Sequence, residues 1–135
     1  MLTVVAALIE SEGKLLVCQC RRGGAFELFW EFPGGKRCPD ETLEQALSRE
    51  LAEELGVTAR IGREVYRTRH HYPEMPEPIE LIFFAASAPP AEIRNLIFEQ
   101  IEWRAPTSLL ELNFVAADRE LIAKLAAGTI HLEGL

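Results

Sequence analysis

The chain has 135 residues, is 48% hydrophobic and 26% charged, and carries a formal net charge of −7. This describes one soluble globular domain with enough apolar residues for a core. The acidic balance excludes a surface built to grip nucleic-acid polymers, but permits a small anionic substrate whose site is neutralised by bound cations. No segment approaches the ~20 apolar residues of a membrane helix.

In chain order, Val4 to Ile9 is a β-rich run. It has no basic leading region and is followed by Glu10-Ser11-Glu12-Gly13, which is a turn and not a cleavage site, so it reads as a core strand. Lys14 to Cys20 completes a hairpin. Cys18 and Cys20 share a face of that strand, and with Cys38 they make an odd count. This points to free thiols in a reducing cytoplasm, without a disulfide framework, and the spacing does not suit zinc. Phe29 to Phe32 is a short aromatic strand that Pro33-Gly34-Gly35 ends. Thr42 to Leu55 is predicted to be a helix, with Leu43, Ala46, Leu47 and Leu51 at helical spacing, Asp40 as N-cap and Gly56 just past the end.

Thr58 to Arg69 reads as extended, His70 to Pro78 as a Pro-rich loop, and Ile79 to Ala86 as a buried strand. Phe98 to Trp103 is the last strand. Leu109-Leu110 and Asp118 to Ala127 are helical, with Gly128 ending the second piece. Strands before, beside and after a central helix predict an α/β fold, an α/β/α sandwich around a mixed sheet, rather than repeated parallel βαβ units.

One pattern carries the chemistry. Gly35 is followed after five residues by Glu41, and after seven more by Arg49-Glu50-Leu51-Ala52-Glu53-Glu54-Leu55-Gly56-Val57. At ~100° per residue Glu50, Glu53 and Glu54 fall within roughly a 100° arc, beside the stripe of Leu43, Leu47 and Leu51. A solvated acidic face would lie opposite that stripe. Carboxylates packed together at the rim of a core call for protons or cations, and oxygen ligands suit Mg²⁺ or Mn²⁺. A tight glycine loop before the helix can bring backbone close to such an ion.

With Glu31-Phe32-Pro33-Gly34-Gly35-Lys36 ahead of it, this box, residues 35–57, closely resembles that of the Nudix hydrolases, and the approach to it resembles the MutT-type subgroup. The resemblance implies one Nudix domain over 1–135, dependent on Mg²⁺ or Mn²⁺. It implies hydrolysis of a nucleoside diphosphate linked to a further group, in MutT-type members a triphosphate giving monophosphate and pyrophosphate. The expected substrates are oxidised nucleotides such as 8-oxo-dGTP first and CTP second, a nucleotide-pool sanitation role. By motif position Glu50, Glu53, Glu54 and the Gly34 carbonyl are expected at metal. Glu50 is alternatively the residue that orients the attacking water, Arg49 orients the glutamates, Glu41 fixes the loop and Lys36 approaches phosphate. The implied partner is a small nucleotide, with no nucleic-acid polymer and no membrane, in a cytoplasmic monomer or homodimer.

Outside the box the alternatives stay open. Glu99, then Glu102, is the candidate for an additional catalytic carboxylate, against a solvated glutamate. Asp118 either reads the base edge or caps the last helix. Arg21, with Arg22, follows the second strand where relatives carry a substrate-contacting arginine, although Cys20 stands at one alignment of it. Phe83 and Phe84 face opposite ways, and Phe83 is taken as the substrate-side residue. Phe29 and Trp30 are base stackers or core residues, and His70 and His71 are phosphate contacts or surface residues.

Overall fold

The computed structural model describes residues 1–130; residues 131–135 of the expected 1–135 domain lie outside the described part. Its elements are β1 (Leu2–Ser11), β2 (Lys14–Gln19), β3 (Trp30–Glu31), β4 (Gly34–Lys36), α1 (Leu43–Leu55), β5 (Arg60–His70), β6 (Ile79–Ser87), β7 (Gln100–Arg104) and α2 (Arg119–Ala126), with short 3-10 turns at Pro90–Glu92, Pro106–Glu111 and Ala116–Asp118.

β1 is the spine. It runs parallel to β6 from Leu2↔Ile79 to Ile9↔Ala86, and antiparallel to β4 at Val4↔Lys36 through Ala6↔Gly34. Its far end turns into the hairpin with β2, which pairs antiparallel with β3 and β7. β5 closes the other edge against β6, with bulges between Ile61 and Tyr66.

Strand alternation sorts the core into two layers. Val5, Ala7, Ile9, Leu16, Cys18, Ile82 and Phe84 face α1 and its Ala46, Leu47, Leu51 and Leu55. Ala6, Leu8, Leu15, Val17, Leu81 and Phe83 face the other way, against Leu121, Ile122 and Leu125 of α2. The fold is therefore an α/β/α sandwich around a mixed sheet, as expected.

Three local expectations are corrected. The aromatic strand does end ahead of Pro33, but Gly34-Gly35-Lys36, read only as part of that break, forms the further strand β4 by pairing with β1. The N-cap of α1 is Thr42, not Asp40: Thr42 Oγ1 accepts from Gln45 N at 3.0 Å and Gln45 Oε1 accepts from Thr42 N at 2.9 Å, a reciprocal capping box that Asp40 cannot form. Asp118 makes no side-chain cap bond to α2.

Candidate active site

α1 is held at both ends so that its last two turns present acids. Gly56, at φ 63°, takes the left-handed closing position. The carbonyls of Glu54 and Leu55 accept from Leu96 N at 3.1 Å and Arg94 N at 2.9 Å, which ties the segment leading to Glu99 onto the acidic end of the helix.

Arg49 is the hub of the box. Its Nε donates to Glu41 Oε2 at 2.6 Å, Nη2 to Glu41 Oε1 at 2.9 Å and to the Lys36 carbonyl at 3.0 Å, and Nη1 to Glu50 Oε1 at 2.8 Å and Glu53 Oε2 at 3.3 Å. One guanidinium thus joins β4 to three carboxylates, using the planar fork that only arginine has. Glu41 also accepts from Cys38 N at 2.9 Å, closing the loop between β4 and α1. The hydrogen bond to Arg49, then that from the Cys38 amide, hold Glu41 down at about 2.

The two glycines allow the helix and β4 to touch. Gly34, at φ 155°, lies so close to the backbone of Val5 and Ala6 that a Cβ would overlap it, and a Cβ on Gly35 would overlap the Glu50 carboxylate. Gly34 N donates to Glu54 Oε1 at 3.1 Å. Glu54 is buried, at 8% exposure, and shares a hydrogen bond with Glu50. Burial first, then that bond and the charges of Glu50 and Glu31, push its carboxyl well above the ordinary range. Two carboxyls in contact require a proton or a cation between them. The all-oxygen donor set, wrapped by glycine backbone, fits a hard divalent ion. Glu50 and Glu54 meet, whereas Glu53 turns outward toward Arg49 with its side chain 58% exposed. Among the described residues no three acidic, histidine or cysteine side chains converge into a closed metal cage.

Beside β4 opens a cavity of about 260 Å³. Gly34, Gly35 and Lys36 border it, Phe26 and Tyr72 wall it, and Glu31 and Asp118 supply its acids. Tyr72 Oη accepts from Ala117 N at 3.0 Å, so the Pro-rich loop is tied to the turn bearing Asp118. Phe26 packs on Tyr72 with ring centroids 4.9 Å apart. Phe26 (φ 58°) and Leu28 (φ 62°) both sit in the left-handed region, uncommon for large side chains and frequent where a loop is shaped for a task.

Asp118 is 4% exposed and accepts a hydrogen bond from the Phe32 amide. Burial, then the charge of Glu31, drive its carboxyl well above the ordinary range. Burial likewise raises Glu31 to about 7, against a smaller opposing effect of a Cys20 hydrogen bond. Both groups hold protons in the folded state that the unfolded chain releases. Their effect is thus neutral in acid and destabilising as pH rises, for Glu31 through the window from 4.5 to about 7, with the raised Asp118 carboxyl acting in the same direction. The metal-free protein, melted in chelator between pH 5 and 8, is expected to lose stability as pH rises, with Asp118→Asn flattening the slope; a Tm rising across that range in the parent contradicts this assignment.

The other predicted residues are distributed as follows. Lys36 is exposed at the cavity edge, with its carbonyl on Arg49. Arg21, expected at substrate, is exposed and outside the cavity lining, because pairing continues through Cys20 (Cys20 N to Phe29 O, 2.8 Å) and the chain leaves the sheet directly after it. Phe83, also expected at substrate, is fully buried between Phe32 and Tyr66, with ring centroids 6.0 and 6.1 Å away, and forms no part of the cavity wall. Phe84 is buried against α1. Glu99 is exposed and faces Arg22 Nε at 3.6 Å, while Glu102 pairs with Arg104 at 3.3 Å. Trp30 is core and Phe29 half-buried. His70 meets Tyr72 edge-on with ring centroids 4.3 Å apart, and exposed His71 contacts the Met75 carbonyl. Cys18, Cys20 and Cys38 are free.

Sequence reasoning passed over Glu31, Phe26 and Tyr72 as site residues. Glu31 had a signal: it is one acid between two large aromatics in a strand. Tyr72 and Phe26 had none, since each reaches the cavity from an irregular loop.

The family model for the NUDIX domain matches residues 1–125. Among curated relatives, the CTP pyrophosphohydrolase of Escherichia coli K12 is 51% identical over 65 residues, 48% of each chain. The 8-oxo-dGTP diphosphatase of Haemophilus influenzae is 43% identical over 75 residues, 54% of each. The matched part of this chain spans about half the length of those two relatives. The solution structure of the E. coli ORF135 protein superposes with a TM-score of 0.76 at 32% identity, covering 94% of this chain and 89% of that one. Family model, near full-length structural relative and the hub of box residues on α1 agree: the chain belongs to the Nudix hydrolase family.

Proposed function

We propose that the chain is a Mg²⁺- or Mn²⁺-dependent pyrophosphohydrolase that converts a nucleoside triphosphate to the monophosphate and pyrophosphate. The observation that carries this reading is the continuity of the cavity with the box: one rim is Gly34-Gly35-Lys36, and buried Asp118 is in the lining. At about 260 Å³ the cavity is smaller than the ~300–1,000 Å³ of pockets that enclose a whole drug-sized ligand. It suits a base, with the phosphates lying outside along β4 and α1.

In this reading Glu50, Glu53, Glu54 and the Gly34 carbonyl would hold the metal. Bound there, it would clamp phosphate oxygens and lower the pKa of water. Arg49 keeps Glu50 and Glu53 aimed, Lys36 meets phosphate from the cavity edge, and Glu50 or Glu99 takes the proton of the attacking water. Asp118 reads the base from an apolar wall, where a neutral carboxyl both donates and accepts. The order of substrates is oxidised purine triphosphate first and CTP second; the 51% identity to a CTP pyrophosphohydrolase supports the second. The setting is cytoplasmic nucleotide-pool sanitation by a monomer or homodimer.

A hydrolysis screen with Mg²⁺ and Mn²⁺ tests this reading, covering NTPs, dNTPs, oxidised dNTPs, nucleotide sugars and dinucleoside polyphosphates. Turnover is expected among the triphosphates. Complete inactivity, or turnover of nucleotide sugars alone, overturns it.

A further inference from the structure

Residues 94–99 form a strap from the end of α1 to the start of β7. Arg94 N and Leu96 N donate to the carbonyls of Leu55 and Glu54, two orphan acceptors in the last turn of the helix. Phe98 then enters the core on the α1 side of the sheet, at 5% exposure. Glu99 N donates to the Gln19 carbonyl at 2.9 Å, and β7 begins at the next residue. Glu99 therefore shares one backbone frame with Glu54.

One side chain closes that frame. Asn95 is exposed, yet its amide group bonds Phe98 twice: Oδ1 accepts from Phe98 N at 2.8 Å, and Nδ2 donates to the Phe98 carbonyl at 2.9 Å. The Phe98 carbonyl and the Glu99 N–H belong to the same planar peptide group. Asn95 holds that plane by its oxygen and Gln19 holds it by its N–H. From Gln100 onward the chain is paired with β2, so the backbone is fixed on both sides of the Glu99 Cα. The carboxylate itself is steered less. Its ion partner, Arg22 Nε at 3.6 Å, is exposed on the loop after β2, and a solvated pair of this kind orients a side chain weakly. Burial of Phe98 already anchors the strap to the fold. What the Asn95 bonds add is the orientation of the peptide that carries Glu99.

We propose that Asn95 is a positioning residue for hydrolysis: through the Phe98–Glu99 peptide it fixes Glu99 relative to the acidic end of α1. The proposal rests on the reading in which Glu99 takes the proton of the attacking water.

The test is a double-mutant cycle on the full chain with Mg²⁺ and whichever of CTP and 8-oxo-dGTP the parent hydrolyses. Asn95→Ala should lower kcat about tenfold with KM nearly unchanged, the effect of a misplaced group and not of lost binding. Asn95→Asp keeps the acceptor for Phe98 N and loses the donor to the Phe98 carbonyl, so it should fall as far. In a Glu99→Gln background, itself slowed, Asn95→Ala should cost no more than about twofold further. In chelator, amide hydrogen exchange at Glu99 should quicken about tenfold in both Asn95 variants, while exchange in β1 stays as in the parent. An unchanged kcat in both variants, an Asn95→Ala loss of full size in the Glu99→Gln background, normal turnover by Glu99→Gln, or unaltered exchange at Glu99 overturns the inference and leaves the hydrolase reading standing. A parent that turns over no triphosphate removes that reading, and this inference with it.

Discussion

Glu54→Gln is expected to cut turnover by about 10³-fold, the scale of several kcal/mol of lost metal-assisted stabilisation, without destabilising the metal-free protein. The two halves of the expectation come from the same contacts. Glutamine keeps an oxygen for the Gly34 amide, which lies 3.1 Å from Glu54 Oε1, so the junction between α1 and β4 survives. It also remains neutral beside Glu50, with which Glu54 shares a hydrogen bond. At neutral pH a buried carboxyl that resists ionisation contributes no favourable charge to the fold. The amide therefore removes a liability of the metal-free state together with a ligand of the loaded one. Kinetics with saturating Mg²⁺ and a melting curve in chelator check the pair of effects. Near-normal activity would remove Glu54 from the metal site, and a large loss of stability would make it a structural residue instead.

Arg49→Lys should lower turnover by about 10²-fold with a smaller change in KM, because the lost element is orientation and not substrate binding. A lysine has one compact ammonium and cannot span Glu41, Glu50, Glu53 and the Lys36 carbonyl together. The effect has an independent readout in Glu41. Arg49 holds that carboxyl at about 2, below its ordinary 4.5, so the pairing stabilises the fold above pH 4.5 and is lost as pH falls toward 2. In Arg49→Ala the Glu41 titration followed by NMR should move back toward 4.5. A Glu41 signal that stays near 2 would mean that the Cys38 amide, which also bonds it, is sufficient alone.

Much of the fold was legible because its strongest signals are local. The stripe of Leu43, Ala46, Leu47 and Leu51 and the closing Gly56 announce α1 from sequence alone. The short strand β4 was not legible: Gly34-Gly35 reads as a terminator, and only pairing with Val4–Ala6, some thirty residues earlier in the chain, makes it a strand. The N-cap was misplaced by two residues because both Asp40 and Thr42 are good caps, and the reciprocal bond from Gln45 decides between them.

The site divided in the same way. Arg49 and its glutamates lie within one loop and helix, so their register fixes their neighbourhood. Phe83 shows the limit of alternation. Period two says that Phe83 and Phe84 face opposite sides, but helices cover both sides of this sheet, so both rings are buried and neither lines the cavity. The cavity itself is assembled from β3, β4, the Pro-rich loop and the turn before α2, and no spacing rule relates those segments. Asp118 was readable as a cap or as a base contact; the structure denies the cap bond and sets the carboxyl on the cavity wall.

The central claim is that the acidic end of α1 and the adjacent cavity act together on a nucleoside triphosphate. Phosphorus NMR of the reaction with CTP or 8-oxo-dGTP and Mg²⁺ tests it most directly. The account predicts nucleoside monophosphate and pyrophosphate as products, with turnover abolished by chelator and restored by Mg²⁺ or Mn²⁺. Release of orthophosphate with nucleoside diphosphate, or turnover that persists in chelator, would contradict it.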